Sequence, residues 1–270
     1  MALWILFKYN RVHHAIGLGV ASEFTGVVNK QVDKLDDYFH QGEESKRVHH
    51  LNDSLMNLLK NNFMVADSSQ KLVTDSVLID SVKGVRRYFW RDAKVVYNTV
   101  NSERNYLQIN RGSKYGIRDN MAVLSSDGAA VGVVVNVSPN FSEVMSLLHV
   151  QNSVSASLKT TGDAGKVEWD AKDPRFVLLK GISKNIAVKV GDTILTSRYS
   201  YNFPPDKLIG TVAGIGTDPA SGLYLLKVKT AVNFSNIQQV FVIENLQREE
   251  QVQLEKDTEK KYEQQKKNSH

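Results

Sequence analysis

Seven histidines are the first candidates for chemistry: His13, His14, His40, His49, His50, His149 and His270. His13–His14 and His49–His50 are adjacent pairs. Neighbours on a helix project about 100° apart, so neither pair forms the one-face i,i+4 clamp of a helical metal site. They read as solvated helix residues. His149, in SLLHVQNS, lies among strands, and a β-barrel with a histidine raises the prospect of a serine-type hydrolase. That mechanism needs a histidine base, an orienting carboxylate and a nucleophile in one cleft. No G-x-S-x-G elbow is present, and His149 reads as a strand-end residue. The glycine motifs fail too. GLGVAS (17–22) has serine where a dinucleotide fingerprint needs its third glycine, GIGTDP (214–219) opens no helix, and no P-loop occurs. Asp36–Asp37 and Glu43–Glu44 read as solvated helix faces. Cysteine is absent, which removes thiol catalysis, disulfides and cysteine-zinc sites.

One segment has the composition of a single-stranded nucleic-acid platform. KGVRRYFWRDAK interleaves Lys83, Arg86, Arg87, Arg91 and Lys94 with Tyr88, Phe89 and Trp90, and cationic side chains among stacking rings are what such ligands require. The competing reading is a linker whose aromatics cap the next domain. With no catalytic set, no cofactor motif and no metal motif, the sequence favours binding over catalysis.

The elements that would carry such binding fall into blocks. The chain has 270 residues, 41% of them hydrophobic, and a net charge of +5. The first 66 residues hold seven basic and seven acidic residues and the last 25 hold six of each, so the excess sits between 67 and 245. It is a mild bias toward an acidic partner or an anionic surface. Phe24, Val28, Leu35 and Tyr38, then Val48, Leu51, Leu55 and Leu58, recur at three- and four-residue steps with charged neighbours, the seam pattern of a coiled coil. Gly42 between the two runs predicts a kink or stutter. A stripe this long has no body of its own to bury it, so it must pair with another copy, a partner helix or the domain that follows. ALWILF (2–7) is far too short to span a bilayer, which takes about 20 apolar residues.

From Ala93 to Asn245 the pattern becomes short β-branched runs bounded by Gly, Asn, Asp, Ser or Pro. Strands at this spacing, without intervening helices, predict barrels or sandwiches. An internal repeat points to two related units. VLSS (123–126) matches ILTS (194–197), and AVGVV matches LIGTV, pairing Gly132 with Gly210. The second unit carries seven extra residues between its matched strands, within 198–208. They include YNFPPD, whose twin prolines cannot sit in a central strand. One reading has Phe203 anchoring this insertion on its own barrel, with Pro204 and Pro205 holding the loop stiff; the other makes Tyr201, Phe203, Pro204 and Pro205 a protruding contact loop. The expected architecture is mainly β with an N-terminal helix. It comprises a membrane-anchor stump and coiled-coil helix (1–66), a linker (67–92), a first small six-stranded antiparallel barrel (93–165), a second (166–245) whose last strand returns to the first or closes the second, and a polar tail (246–270). That tail buries too little to fold alone and reads as disordered or a frayed helix.

The ordered series NYLQINRGSKYGIRDNMAVLSSDGAAVGVVVNVSPNFSEVMSLLH, KVEWDAKDPRFVLLKGI, VKVGDTILTS, FPPDKLIGTV and LYLLKVKTAVNFSNIQQVFVIEN, following a coiled-coil pattern, resembles the MreC family of bacterial rod-shape-determining proteins. DPRFVLLK and NFSNIQQVFVI look most like its Bacteroidetes branch. The resemblance implies a single N-terminal membrane helix, of which ALWILF is the remnant, with the remainder in the periplasm. It implies a homodimer or filament and a non-catalytic scaffold of the peptidoglycan-building elongation machinery, with MreD, MreB, RodA and a class B transpeptidase as partners. Two departures stand out. Relatives usually read T-S-G where this chain has Thr196-Ser197-Arg198, and often have glycine where it has Asp206-Lys207. The alternative function is a nucleic-acid-binding barrel protein using 83–94.

Overall fold

The computed structural model describes residues 47–48, 50–52, 54–59, 63–65, 76–79 and 82–268. The chain divides into two compact units, Met1–Asn52 and Asp53–His270. In the first, the described residues 47, 48 and 50–52 are helical; the second opens with helical residues 54–58. Phe24, Val28, Leu35 and Tyr38, the kink at Gly42 and the ALWILF segment lie outside the described residues.

Three short strands, β1 (Phe63–Val65), β2 (Ser76–Ile79) and β3 (Val82–Arg86), form an antiparallel sheet in the order β1-β3-β2. The stretch expected to be a linker therefore carries pairing of its own. Twelve further strands make two closed barrels. They are β4 (Tyr88–Asn98), β5 (Arg104–Ile109), β6 (Ala122–Ser125), β7 (Ala130–Val137), β8 (Ser142–His149), β9 (Val154–Leu158), β10 (Ala164–Glu168), β11 (Phe176–Ile182), β12 (Thr193–Thr196), β13 (Leu208–Thr217), β14 (Tyr224–Thr230) and β15 (Gln239–Asn245). Barrel 1 runs β15-β4-β5-β8-β7-β6 and barrel 2 runs β10-β11-β14-β13-β12-β9.

Two expected boundaries are corrected. Barrel 1 does not extend to 165: β9 pairs with β10 and β12, so barrel 2 begins at Val154. A strand's partner is set by long-range pairing, which local pattern does not report. Barrel 1 also starts earlier than 93, because β4 begins at Tyr88. The last strand, β15, pairs with β4 along its whole length and with β6 from Val240 to Ile243. It is buried on nearly every residue. Its VFVI run is what a strand buried on both faces requires, where alternation would mark a half-exposed one.

Of the two readings of the tail, disordered or a frayed helix, the structure shows the helix, Arg248–Asn268. Glu249 and Glu250 sit in its first turn, where negative charge complements the helix dipole.

The repeat is visible in the ladders. Gly132 pairs with Val123 across β6–β7, and Gly210 pairs with Ile194 across β12–β13. Both hairpins carry a register shift immediately after that pair. A Cβ on Gly132 would lie 2.2 Å from the Met145 carbonyl oxygen, and one on Gly210 2.0 Å from that of Lys229. Each glycine lets the neighbouring strand close over it. Four residues connect β6 to β7 and eleven connect β12 to β13, so the difference is the inserted segment.

Gly132→Ala and Gly210→Ala should each destabilise by about 1–3 kcal/mol, the usual range for overpacking. Gly214→Ala should stay near wild type in urea denaturation, because its Cβ meets only the Lys227 Cβ at 3.7 Å.

Candidate interaction site

Of the candidates for chemistry, His149 and the basic-aromatic segment can be placed; His50 is an exposed helix residue, and His13, His14, His40, His49, His270, Asp36–Asp37 and Glu43–Glu44 lie outside the described residues. His149 ends β8 fully buried. The Gln151 backbone N–H donates to its Nδ1 at 3.0 Å, so the ring proton sits on Nε2, which donates to the Tyr106 hydroxyl at 3.0 Å. The two rings meet edge to face, centroids 4.9 Å apart. Burial, and secondarily Arg104, pushes the His149 pKa below its ordinary value. With both nitrogens engaged, it is not placed to serve as a base. Among the described residues no group of acidic and histidine side chains could hold a metal.

The basic-aromatic segment is also turned to structural use. Tyr88 and Trp90 are buried in barrel 1. Phe89 lies beneath two guanidinium groups, Arg91 at 4.5 Å and Arg86 at 5.3 Å from its centroid. Arg91 also donates to the Glu244 carboxylate at 2.8 Å, and Arg118 binds the other oxygen of that buried carboxylate. Bases stack on accessible rings, and Tyr88 and Trp90 offer no face to them. This corrects the nucleic-acid alternative.

The inserted segment, residues 197–207, is the structure's distinctive feature. Thr196, at the end of β12, organises it. Its hydroxyl donates to the Pro204 carbonyl at 2.6 Å and accepts from the Lys207 N–H at 2.9 Å. The Ser200 hydroxyl accepts from the Phe203 N–H at 3.0 Å. Phe203 is 1% exposed and Pro204 is buried with it. The positive φ of the segment, 62°, falls on Asp206 rather than on Arg198 or Lys207. Aspartate tolerates the left-handed region better than most residues, which resolves the two departures in the motif.

The segment does not protrude freely: Phe203 and Pro204 are buried, which fits the anchor reading and corrects the contact reading for those two residues. It is a clasp between the barrels. Asn245, the last residue of β15, donates its amide to the Tyr201 carbonyl at 2.8 Å. Arg248, opening the C-terminal helix, donates Nε to the Asn202 side-chain oxygen at 2.6 Å. Lys207 lays its ammonium 5.2 Å from the Trp90 ring centroid of barrel 1. Burial there lowers the Lys207 pKa, against the raising effect of Asp206. Tyr201 is partly exposed and Pro205 half-buried, and the adjoining Tyr199 is 72% exposed. Tyr199 and Tyr201 are therefore what this loop presents outward.

The leucine row is placed differently. Asn57 accepts from the Trp90 N–H at 2.8 Å and donates to the Trp90 carbonyl at 3.0 Å, and Met56 packs against the core. Leu51, Leu55 and Leu58 stay 52%, 61% and 69% exposed. Sequence reasoning singled out these leucines but missed Asn57, Glu244, Asn245 and Arg248. Of those, only Asn57 carries a local signal, as a polar residue inside an apolar run.

The family model described as "Rod shape-determining protein MreC, barrel core" matches residues 95–244. The cell shape-determining protein MreC of Listeria monocytogenes is 23% identical over 237 residues, covering 86% of this chain and 79% of that protein. A solved MreC structure from Listeria monocytogenes superposes with a TM-score of 0.54 at 22% identity, covering 79% of this chain and 93% of the other. A structure described as the major periplasmic domain from the cell shape-determining filament MreC superposes with a TM-score of 0.50 at 19% identity, covering 60% of this chain and 98% of the other.

Phe203→Ala should cost about 3–5 kcal/mol, as for other buried aromatics, measured by urea denaturation. His149 gives a pH signature. Its folded pKa is depressed, so on acidification the unfolded chain takes up a proton that the folded chain resists, and stability falls as pH drops through the ordinary histidine range. Replacing His149 with Gln should flatten that part of the stability–pH curve.

Proposed function

The chain belongs to the MreC family, and from that premise we propose that it is a non-catalytic periplasmic scaffold of the cell-elongation machinery. It associates with itself through the N-terminal helix and presents the paired barrels to peptidoglycan-synthesis proteins, a class B transpeptidase among them. MreD, MreB and RodA are the further partners this reading assigns. The same reading assigns it a single-pass membrane tether and a coiled coil on the N-terminal side of the barrels.

The observation that carries self-association is the row Leu51, Leu55 and Leu58, exposed at coiled-coil spacing. Fully burying a leucine contributes about 1.5–3 kcal/mol, so covering this row in a second copy favours association, set against the entropy of joining two chains. The contacts of Asn57 and Met56 with barrel 1 support the same reading, because they use the other side of residues 54–58 and leave Leu55 and Leu58 exposed. The periplasmic location and filament formation described for a relative of the same fold are consistent with it.

The triple variant L51E/L55E/L58E should sediment as a monomer where the parent chain is a dimer, and cells relying on it should lose rod shape. Crosslinking in native membranes should join leucine-row positions of two copies and join the barrels to a class B transpeptidase. A parent chain that remains monomeric at high concentration, with no such crosslinks, would remove the proposal.

A further inference from the structure

The excess positive charge of this chain is concentrated in one barrel. Between Val154 and Thr230 there are eleven basic and seven acidic residues, whereas the strands and loops of barrel 1, 88–149 and 239–245, hold six of each. Much of the excess lies on one outer face. Lys166 on β10 pairs directly across from Lys180 on β11, and Lys227 and Lys229 follow on β14. Phe176, Leu178 and Leu225 sit half-buried between them, with the Lys227 ammonium 4.1 Å from the Phe176 ring centroid. Like charges directly opposed across a ladder destabilise a sheet. Lys180 is relieved by Glu168 at 3.0 Å, but Lys166, Lys227 and Lys229 form no ion pair among the described residues.

The C-terminal helix has the opposite peculiarity. Glu255 and Glu259 are exposed, four residues apart on one ridge, and the spacing recurs at Glu263. Like charges at i,i+4 cost a helix about 0.2–0.5 kcal/mol per pair. The helix dipole does not explain them, since its benefit fades beyond the first turn. Beside this ridge lie Leu254 and Tyr262, each 69% exposed. Neither Glu255 nor Glu259 has an ionic partner among the described residues.

The two features match. Two residues along a strand advance about 6.6 Å and four along a helix about 6 Å. A helix laid along β14 would therefore set Glu255 and Glu259 against Lys227 and Lys229 nearly in step, with Leu254 beside the Phe176–Leu178 pair and Tyr262, about 12 Å further along the helix, beyond it. Within one chain the helix is tied elsewhere: Arg248 bonds Asn202, and Glu249 lies 3.7 Å from Arg118 of barrel 1.

We propose that the acidic ridge of the C-terminal helix of one copy docks on the lysine face of barrel 2 of a second copy. The contact is heterologous, so its repetition joins copies head to tail. It rests on the self-associating scaffold reading and adds a second, electrostatic interface to the leucine row.

The test compares the full chain with K227E/K229E and with E255K/E259K by sedimentation velocity at low and high salt. The parent should show a salt-sensitive assembly step beyond the leucine-row dimer, and each variant should lose it. An equimolar mixture should recover association, because the reversed helix of one variant fits the reversed barrel of the other. Recovery only in the four-fold variant, and not in the mixture, would mean docking within one chain and would overturn the proposal. Unchanged assembly in both variants, with L51E/L55E/L58E still dissociating the dimer, would overturn it and leave the scaffold reading intact. If no variant changes assembly because the parent never associates, both readings fall. Intact self-association combined with loss of binding to phosphatidylglycerol vesicles in K227E/K229E would assign the lysine face to an anionic bilayer instead.

Discussion

Barrel 1 has six strands, but the chain lays down only five of them, β4 to β8, before it leaves to build barrel 2. The sixth, β15, returns from the far side of that excursion and fills the gap between β4 and β6. Until it does, both strands present open edges, the condition under which sheets pair wrongly. Much else depends on this strand. Its Phe241 meets Trp90 edge to face at 5.8 Å, its Glu244 gathers Arg91 and Arg118, and its Asn245 holds the inserted clasp of barrel 2. The C-terminal helix starts three residues after it. Barrel 2 is thus an insertion within barrel 1, and the clasp ties the insertion back to the strand that closes its host.

The two barrels share a plan and have diverged in use. Viewed by pairing order, β9 to β14 of barrel 2 take the places of β15 and β4 to β8 of barrel 1. Gly132 and Gly210 make the same close approach in each. The differences lie outside that shared frame. Barrel 1 is electrically neutral, and its segment around Trp90 receives Asn57. Barrel 2 carries the positive charge and the long loop. These differences are where partners can distinguish the two barrels.

The parts of this fold legible in the sequence were those encoded locally. Turn residues and β-branched runs marked most strands, and the repeat around Gly132 and Gly210 located the insertion to the residue count. Twin prolines and one phenylalanine correctly suggested an anchored loop, but nothing local showed that Asn245 and Arg248 would receive it. The boundary between barrels was misplaced because β9 and β10 look the same whichever barrel they join; only their partners decide. The C-terminal helix was left undecided between disorder and a frayed helix for a related reason. Its residues are polar on nearly every face, so the apolar periodicity that announces a helix is absent and the decision falls to helix propensity and charge placement. Conversely, the basic-aromatic segment looked like a ligand platform because its composition does not reveal which rings point inward.

The central claim is that barrel 1 exists as a closed unit only through β15, and native-state hydrogen exchange tests it most directly. The account predicts that the backbone amides of β4 and β6 facing β15 and those of Val240–Ile243 open with the same free energy, in one cooperative step. Exchange of the β15 amides by an easier, separate opening, with β4 and β6 still protected, would contradict it.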